Sequence, residues 1–191
     1  MKKIVNLLKI GQLDQAIFEK LKKELEYIFR EFNISVDSLN DLIPIENSEY
    51  NIKRNQYNAS KILDKINIYV QGRGFFRVLG IVDKDIFTSS LNFVFGLAMS
   101  PYNNKTRITV ISLISITRLR ESFYRRPEDA VLFEKRILKE AIHELGHTFG
   151  LPHCYNFCIM RFSNSIADTD YKPSSFCKSC LGKLRNFFKN L

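Results

Sequence analysis

The chain has 191 residues, of which 45% are hydrophobic and 26% charged, and its net charge is +9 at pH 7. This length allows one domain with a sizeable core, and the composition is ordinary for a globular protein. A membrane-spanning helix needs about 20 predominantly apolar residues, and the sequence contains no such run. Acidic and basic residues alternate in many places, as between Glu19 and Lys23. We therefore interpret the positive charge as a solvated surface rather than a nucleic-acid interface.

The N-terminus begins with basic and then apolar residues, as a signal peptide would. The apolar stretch is short, however, Asn6 interrupts it, and no small-residue cleavage site follows. We therefore predict a strand at 4–9 and a cytoplasmic protein. Residues 13–32 then predict a long amphipathic helix with a periodic apolar face. That face is formed by Ile17, Leu21, Leu25, Ile28 and Phe32.

The middle of the chain predicts mainly strands. Residues 34–36 favour a short strand, 40–58 a loop and 59–66 a helix. Three further strands are indicated by β-branched and aromatic runs, with turn residues between the last two. These strands lie at 75–82, 91–98 and 107–116, and the turn residues are Ser100, Pro101, Asn103 and Asn104.

A long helix is predicted from Pro127, with Glu128 and Asp129 beside the positive end of its dipole. Its apolar positions continue the predicted helix as far as a cluster of histidines. These positions are Val131, Phe133, Ile137, Leu138, Ala141 and Ile142. Strands with intervening helices, then a long helix and an irregular cysteine-bearing tail, predict an α/β (α+β) domain with a sheet packed on helices.

All three histidines of the chain lie between His143 and His153. On a helix, His143 and His147 lie one turn apart on one face and can share a metal ion. Gly150 can end the helix in a left-handed conformation, so that His153 folds back as a third ligand. Three protein ligands leave a position for water, as in catalytic zinc sites, and Glu144 is placed to act as general base. Hydrogen-bonded core histidines are the alternative, but the full His-Glu-x-x-His-x-x-Gly-x-x-His spacing favours zinc.

The four cysteines form two close pairs, Cys154 with Cys158 and Cys177 with Cys180. Such pairs suit a closed structural zinc site with four thiolate ligands. Two disulfides are one alternative, but they belong to oxidising compartments. Free core thiols are the other, but they do not explain the paired spacing. The sequence therefore predicts two zinc ions per chain, one catalytic and one structural, with the second also fixing the position of His153.

Several motifs together resemble the archaemetzincins, a family of the metzincin clan of zinc metalloproteases, and in particular their archaeal type. They are HELGHTFGLPHC from His143, a methionine (Met160) shortly after Cys158, and the motif CKSC that ends at Cys180. The stretches RNQYNASKIL and LNFVFGLA, upstream, are more weakly similar to the same family. The resemblance covers most of the chain, but its diagnostic part is the C-terminal quarter.

This resemblance implies a role for each motif residue. His143, His147 and His153 would be catalytic zinc ligands, Glu144 the general base, and Met160 the methionine of the turn beneath the catalytic metal. The structural zinc ligands would be Cys154, Cys158, Cys177 and Cys180. The implied fold is a single metzincin-like catalytic domain over 1–191. In it, a twisted mixed sheet packs on a long N-terminal helix and an active-site helix within 1–150, and residues 151–191 form a zinc-stapled C-terminal subdomain.

The same resemblance implies an edge strand that aligns an extended substrate through backbone hydrogen bonds. Its residues would be Asn92, Phe93, Val94, Phe95 and Gly96; an ordinary buried strand is the alternative. Tyr155 and Tyr171 lie near the motifs and could stabilise an oxyanion, although packed tyrosines with satisfied hydroxyl groups are the alternative. Without the family likeness, Met160 would be read as apolar filler with a soft sulfur.

The favoured function is a zinc-dependent peptidase acting on a peptide or protein, as an endopeptidase or an aminopeptidase. We expect no membrane or nucleic-acid partner and favour a monomer. The rival is a non-catalytic zinc protein that binds a partner in its groove. Glu144 favours chemistry, because a binding site needs no base.

Overall fold

The computed structural model describes residues 3–99, 101 and 109–191. Its strands, in chain order, are β1 (Ile4–Ile10), β2 (Ser35–Ile43), β3 (Tyr50–Asn51), β4 (Gln56–Asn58), β5 (Arg77–Val82), β6 (Ile86–Phe87), β7 (Gly96–Ala98) and β8 (Val110–Ser115). Within these residues, a five-stranded sheet has the order β2-β1-β5-β8-β7, and a small sheet has the order β3-β4-β6. Among the described strands of the large sheet, only β7 is antiparallel to its neighbour, and it forms one edge.

The helices are α1 (Gln15–Phe29), α2 (Ala59–Val70), α3 (Ala130–Thr148), α4 (Ile166–Tyr171) and α5 (Lys178–Lys189). Two buried clusters lie on opposite faces of the large sheet. One joins α1, α3 and α5 to side chains such as Leu7, and the other joins α2 to side chains such as Leu8. Successive residues of β1 thus serve opposite faces, as the strand period requires. Among the described helices, none is both long and apolar enough to span a membrane.

Most predicted strands are confirmed, with changed limits. The strands at 4–9 and 75–82 correspond to β1 and β5, and β8 falls within 107–116. Residues 100, 103, 104, 107 and 108 lie outside the described part of the chain, so those turn and strand predictions are not tested. The strand predicted at 91–98 is reduced to β7, because the chain before it runs beside the small sheet.

The predicted loop at 40–58 is wrong in part. Strand β2 begins near the predicted 34–36 but continues to Ile43, and β3 and β4 follow. A shift of register between Leu7 and Lys9 lets β2 keep pairing with β1, so that Leu42 lies opposite Lys9. Of the polar residues that suggested a loop, Asn40 and Asp41 belong to the edge strand β2, where they are exposed, whereas 44–49 and 52–55 lie outside the strands as predicted.

The first predicted helix is confirmed, but its buried face is rotated. Asp14 caps α1, accepting a hydrogen bond from the Ala16 N–H at 2.9 Å, and a 3-10 turn at Arg30–Phe32 follows the helix. Ile17 and Ile28 are only half-buried. The fully buried residues of α1 are Phe18, Leu21, Leu25 and Phe29. The aromatic rings decide the rotation, since they bury the largest apolar area.

Two further helix predictions need correction. Helix α3 begins three residues after Pro127, and Asp129 caps it by accepting from the Leu132 N–H at 2.9 Å. Val131, one of the apolar positions of the predicted helix, is 76% exposed. The tail is not irregular: α4 and α5 lie in it, and Phe188 of α5 stacks on Phe32 with ring centroids 4.6 Å apart. The helix predicted at 59–66 is confirmed as α2, which is one turn longer.

Candidate active site

Helix α3 carries two of the three histidines and ends just after the second. Gly150 takes a left-handed conformation with φ of 84°. Its N–H donates to the carbonyl of His147 at 2.9 Å, and the N–H of Leu151 donates to that of Gly146 at 3.0 Å. These are the two bonds of a Schellman motif. The chain therefore turns back at Gly150, as the sequence predicts, and His153 comes to lie beside the helix.

The structure brings His143, His147 and His153 together. Their ligand nitrogens lie within 4.8 Å of one another, and the Nε2 atoms of His143 and His147 are 3.1 Å apart. Nδ1 of these two rings lies 2.9 Å from the carbonyl of Ile159 and 2.7 Å from that of Leu151, respectively. Because a carbonyl only accepts, Nδ1–H is the donor in both rings. Both Nε2 lone pairs are therefore directed to the cluster, as in histidine metal sites.

The surroundings hold these imidazoles in their neutral form. Burial is the main cause, and the positive charge of Lys172 acts in the same direction. The pKa of His143 lies well below its usual range, that of His147 is lowered to about 4, and that of His153 is also lowered. Neutral imidazole is the form that binds a metal. The chemistry of this donor set therefore fits a zinc ion.

Glu144 is buried next to the two histidines of α3. It is 5% exposed and lines the same cleft as they do. Burial raises the pKa of its carboxyl group well above the usual range; Glu140 acts in the same direction and Lys172 against it. A divalent cation held by the histidines would favour the ionised form, because its charge attracts the carboxylate. A bound metal ion would therefore favour the carboxylate form of Glu144, which is the form that acts as a base.

A cleft of about 780 Å³ runs past these residues. One wall is β7 and the chain before it, and the opposite wall is α3 and the chain after Gly150. Phe162, Ser163 and Asn164 of the C-terminal region also line it. The cleft thus joins the ligand nitrogens, a carboxyl group and a sheet edge, an arrangement that suits an extended peptide.

The structure corrects the predicted edge strand. The sequence places it at 92–96, but the strand β7 covers Gly96–Ala98, and of the residues before it Phe95 still accepts a hydrogen bond from the Ser115 N–H of β8 at 2.8 Å. The Asn92 carbonyl instead accepts hydrogen bonds from the side chains of Arg54 and Gln56, both at 3.0 Å. This end of the segment is therefore tied to the small sheet, and Asn92 is not among the cleft residues. The cleft is lined by the other predicted residues, Phe93, Val94, Phe95 and Gly96.

The four cysteine sulfurs also lie within 4.8 Å of one another. All four thiols are free, and the Sγ atoms of Cys154 and Cys177 are 3.8 Å apart, far beyond the roughly 2.05 Å of a disulfide. The N–H of Cys177 donates to the sulfur of Cys158 at 3.3 Å. Burial acts to raise the pKa of Cys177, but hydrogen bonds from the Cys180 backbone and from Asn156 lower it to about 6. Converging sulfurs with nearby donors fit a closed zinc site, not disulfides.

Met160 lies between the two clusters. Its side chain is fully buried, and its carbonyl accepts a hydrogen bond from the Cys154 N–H at 2.9 Å. Its sulfur packs so closely on Gly146 of α3 that a Cβ atom there would overlap it. In the pattern His-Glu-x-x-His, Gly146 occupies a position that any residue can fill. The structure shows that this position must lack a side chain for Met160 to reach the helix.

Sequence reasoning also missed a buried ion pair one helical turn before the histidines. Nζ of Lys172 lies 2.9 Å from Oε1 of Glu140, and these side chains are 0% and 3% exposed. The Thr169 hydroxyl donates to the same oxygen at 3.0 Å, and Lys139 donates to the carbonyls of Thr169 and Asp170 at 2.8 Å each. We call these five residues the buried seam, because they tie α3 to the C-terminal region. The available signal was the position of Glu140 on the helical face that carries the histidines.

Tyr155 and Tyr171 do not join the site. Neither is among the residues that line the cleft, and they are 97% and 66% exposed. The ring of Tyr171 instead packs edge-on against Phe157, with centroids 5.5 Å apart. Both side chains therefore belong to the outer surface of the C-terminal region.

The fold and the histidine site define a zinc metallopeptidase. The sequence model of peptidase family M54 matches residues 1–186. Archaemetzincin from Pyrococcus furiosus is 38% identical over 186 residues, which are 96% of this chain and 93% of that protein. The chain belongs to peptidase family M54, the archaemetzincins, as the resemblance implied.

Solved structures agree with this assignment. The crystal structure of archaemetzincin from Archaeoglobus fulgidus, complexed with malonate, matches with a TM-score of 0.76 and 34% identity, covering 94% of this chain and 99% of that one. A zinc-dependent peptidase from Methanocorpusculum labreanum matches with a TM-score of 0.79 and 27% identity over the same shares. These matches confirm the predicted α/β fold with its mixed sheet.

Proposed function

We propose that this chain hydrolyses peptide bonds with a zinc ion held by His143, His147 and His153 and with Glu144 as general base. One observation carries the proposal: neutral ring nitrogens converge beside a buried carboxyl group in a cleft that ends at a sheet edge. A peptide or protein is the substrate, as membership of a peptidase family implies.

Each part of the site then has a task. When bound, zinc supplies a Lewis acid that activates water and polarises a carbonyl group. Glu144 accepts the proton of the attacking water and later donates it to the leaving amine nitrogen. The backbone of β7, at the open edge of the sheet, hydrogen-bonds the extended substrate beside the histidines. Phe93, Val94 and Phe95 contact its side chains on one wall of the cleft.

A second zinc ion, held by Cys154, Cys158, Cys177 and Cys180, is part of the same proposal, which gives two ions per chain. The support is the convergence of four free sulfurs in two close sequence pairs. This ion would hold residues 151–191, the C-terminal subdomain, against residues 1–150 within one catalytic domain. Met160, whose sulfur packs against Gly146 of α3, would form the floor of the histidine site.

The rival function is a zinc-containing module that binds a partner without cleaving it. The buried Glu144 argues against it, since desolvating a carboxyl group beside metal ligands is costly and serves no purpose in simple binding. The cytoplasmic location, the monomeric state and the lack of a nucleic-acid partner stay predictions from the sequence.

The test is to incubate a peptide library with the wild type, Glu144→Ala and a matched control, Glu134→Ala. Glu134 is partly exposed where α3 meets α1, away from the cleft, and it pairs with Lys20 of α1. Losing a general base lowers the rate by about 10²–10⁴-fold, so Glu144→Ala should retain zinc and lose nearly all turnover, while Glu134→Ala cuts like the wild type. Peptides with free and acetylated N-termini separate aminopeptidase from endopeptidase activity. If Glu144→Ala cuts at the wild-type rate, the mechanism is wrong; if the wild type cuts nothing and retains a partner, the rival function replaces it.

A further inference from the structure

Gly96 of β7 lies directly against the carboxyl group of Glu144. A Cβ atom built on Gly96 would be 2.5 Å from Cγ and from Oε1 of Glu144, and 2.6 Å from Cδ. Favourable contacts between carbon atoms begin at about 3.5 Å. A side chain at position 96 and the observed position of the Glu144 carboxyl group therefore exclude each other.

The backbone does not explain the glycine. A glycine is usually needed where φ is positive, and in the described part of the chain such glycines are Gly11, Gly72, Gly74 and Gly150. Gly96 instead has ordinary strand geometry and pairs with Ile114 of β8. What position 96 requires is space.

Hydrogen bonds do not fix the carboxyl group either. No group in the described part of the chain donates a hydrogen bond to Glu144, although this residue is 5% exposed. The neighbouring Glu140, by contrast, is held by Thr169 and Lys172. The direction of the Glu144 side chain thus depends on the packing between α3 and β7.

We propose that Gly96 is a positioning residue for the reaction: its missing side chain leaves the space in which the Glu144 carboxyl group lies under β7, beside His143 and His147. This inference rests on the proposed role of Glu144 as general base. A methyl group at position 96 would push the carboxyl group into the cleft, which has room for it. The fold should tolerate the change, but the proton transfer should not, because a misplacement of about 1 Å can cost about 10²-fold in rate.

The experiment compares Gly96→Ala with Gly182→Ala, a matched control in α5 with no atom within 4 Å of the added Cβ. With a peptide that the wild type cleaves, Gly96→Ala should retain the zinc content and secondary structure of the wild type and lower kcat by about 10²-fold. KM should change by less than about 3-fold, because β7 binds the substrate through its backbone. Gly182→Ala should match the wild type. A wild-type kcat for Gly96→Ala overturns the inference.

A double-mutant cycle shows whether Gly96 acts through Glu144. In the Glu144→Ala background, Gly96→Ala should not lower the residual rate further, because the carboxyl group is already absent. An equal loss in both backgrounds would show that Gly96 affects the site by another route and would contradict the proposal.

A readout without substrate separates this inference from the proposed function. In the Glu144→Ala background, the added methyl group occupies space that the carboxyl group has left. The shift in melting temperature caused by Gly96→Ala should therefore be more favourable in that background than in the wild type, by about 2–4 °C. That coupling is expected even if the wild type proves to cut no peptide, in which case only the proposed function fails. Equal shifts in the two backgrounds would overturn the packing argument.

Discussion

The histidine cluster and the cysteine cluster adjoin in the sequence, at His153 and Cys154, yet their surroundings differ. The histidine nitrogens face a cleft of about 780 Å³ that they share with Glu144. The cysteine sulfurs face one another and a backbone N–H, and Cys158 is fully buried. A ligand set that opens on a cleft leaves room for a substrate, whereas one that closes on itself holds the chain together.

We expect the histidine cluster to depend on the cysteine cluster more than the cysteine cluster depends on it. The Ile159 carbonyl orients His143, and the Met160 carbonyl accepts from Cys154. Both carbonyls belong to the segment that follows Cys158, so the cysteine cluster fixes parts of the histidine cluster. The contact between His143 and Ile159 is mutual, but His143 is also held by helix α3, whereas the chain from Cys158 to Ser165 contains no helix or strand. A substitution in the cysteine cluster should therefore also disturb the histidine cluster. A substitution in the histidine cluster should have only local effects.

The largest effect is expected from Cys177→Ser. Structural zinc contributes on the order of 10 kcal/mol of apparent binding free energy in small metal-nucleated modules. Its loss should disorder the chain from Tyr155 onward, misplace His153 and abolish turnover, while the strands of the large sheet stay folded. Hydrogen exchange measured by mass spectrometry should show lost protection in the tail and unchanged protection in β1 and β5.

His147→Ala is the matched counterpart. It should lose the catalytic zinc ion and all turnover, but the exchange protection of the tail should equal that of the wild type. If His147→Ala also loosens the tail, or if Cys177→Ser leaves the tail protected, the expected unequal dependence between the clusters is wrong.

The next largest effect is expected at the buried seam, which joins the two regions. Lys172→Met leaves the carboxylate of Glu140 buried without its counter-ion. Removing one partner of a buried pair costs about 3–5 kcal/mol of unfolding free energy, which urea denaturation would measure. Lys20→Met is the control, since Lys20 pairs with Glu134 at the surface of the same helix. Such an exposed pair contributes less than about 1 kcal/mol.

The seam prediction has its own internal check. In a double variant, Glu140→Met with Lys172→Met, no buried charge remains unpaired, so much of the lost stability should return. Equal effects of Lys172→Met and Lys20→Met on the free energy of unfolding would contradict a structural role for the seam.

A smaller effect is expected in the number of protons released when zinc binds at pH 7, which should differ between the cysteine cluster and the histidine cluster. Burial raises the pKa of both Cys158 and Cys180, so these thiols must each lose a proton, whereas the histidines are already neutral. We expect at least two protons from the cysteine cluster and close to none from the histidine cluster. Each released proton changes the binding free energy by about 1.4 kcal/mol per pH unit.

Calorimetric zinc titrations in buffers of different ionisation enthalpy would count these protons. His147→Ala reports the cysteine cluster alone, and the difference from the wild type gives the histidine cluster. Equal proton release at the two clusters would remove the chemical distinction between them.

The sequence predicts those parts of the site that depend on local spacing. The ring positions of His143 and His147 follow from the helical repeat, and the return of His153 follows from the left-handed turn at Gly150. The strands β1 and β5 are also predictable, because they are buried on both faces and are therefore mainly apolar, with few interruptions such as Asn6.

The rest depends on contacts between distant segments. Lys172 reaches Glu140 from another part of the chain, and Gly96 meets Glu144 where β7 packs against α3. No periodicity marks either pair. Helix α5 is hard to predict for a related reason: it begins directly after Cys177, and its buried positions Cys180, Leu184 and Phe188 start within the cysteine motif.

The most direct test of the central claim, that one cluster performs chemistry and the other holds the fold, is a graded chelation of the wild type. Zinc content, peptide cleavage and tail protection would be followed in the same samples. The histidine site has an open position and should release its ion first. Turnover should therefore reach zero when one of two zinc ions has been removed, with tail protection still intact, and protection should fall only with the second ion. Turnover that persists after the first ion leaves, or protection that falls together with turnover, would contradict the account.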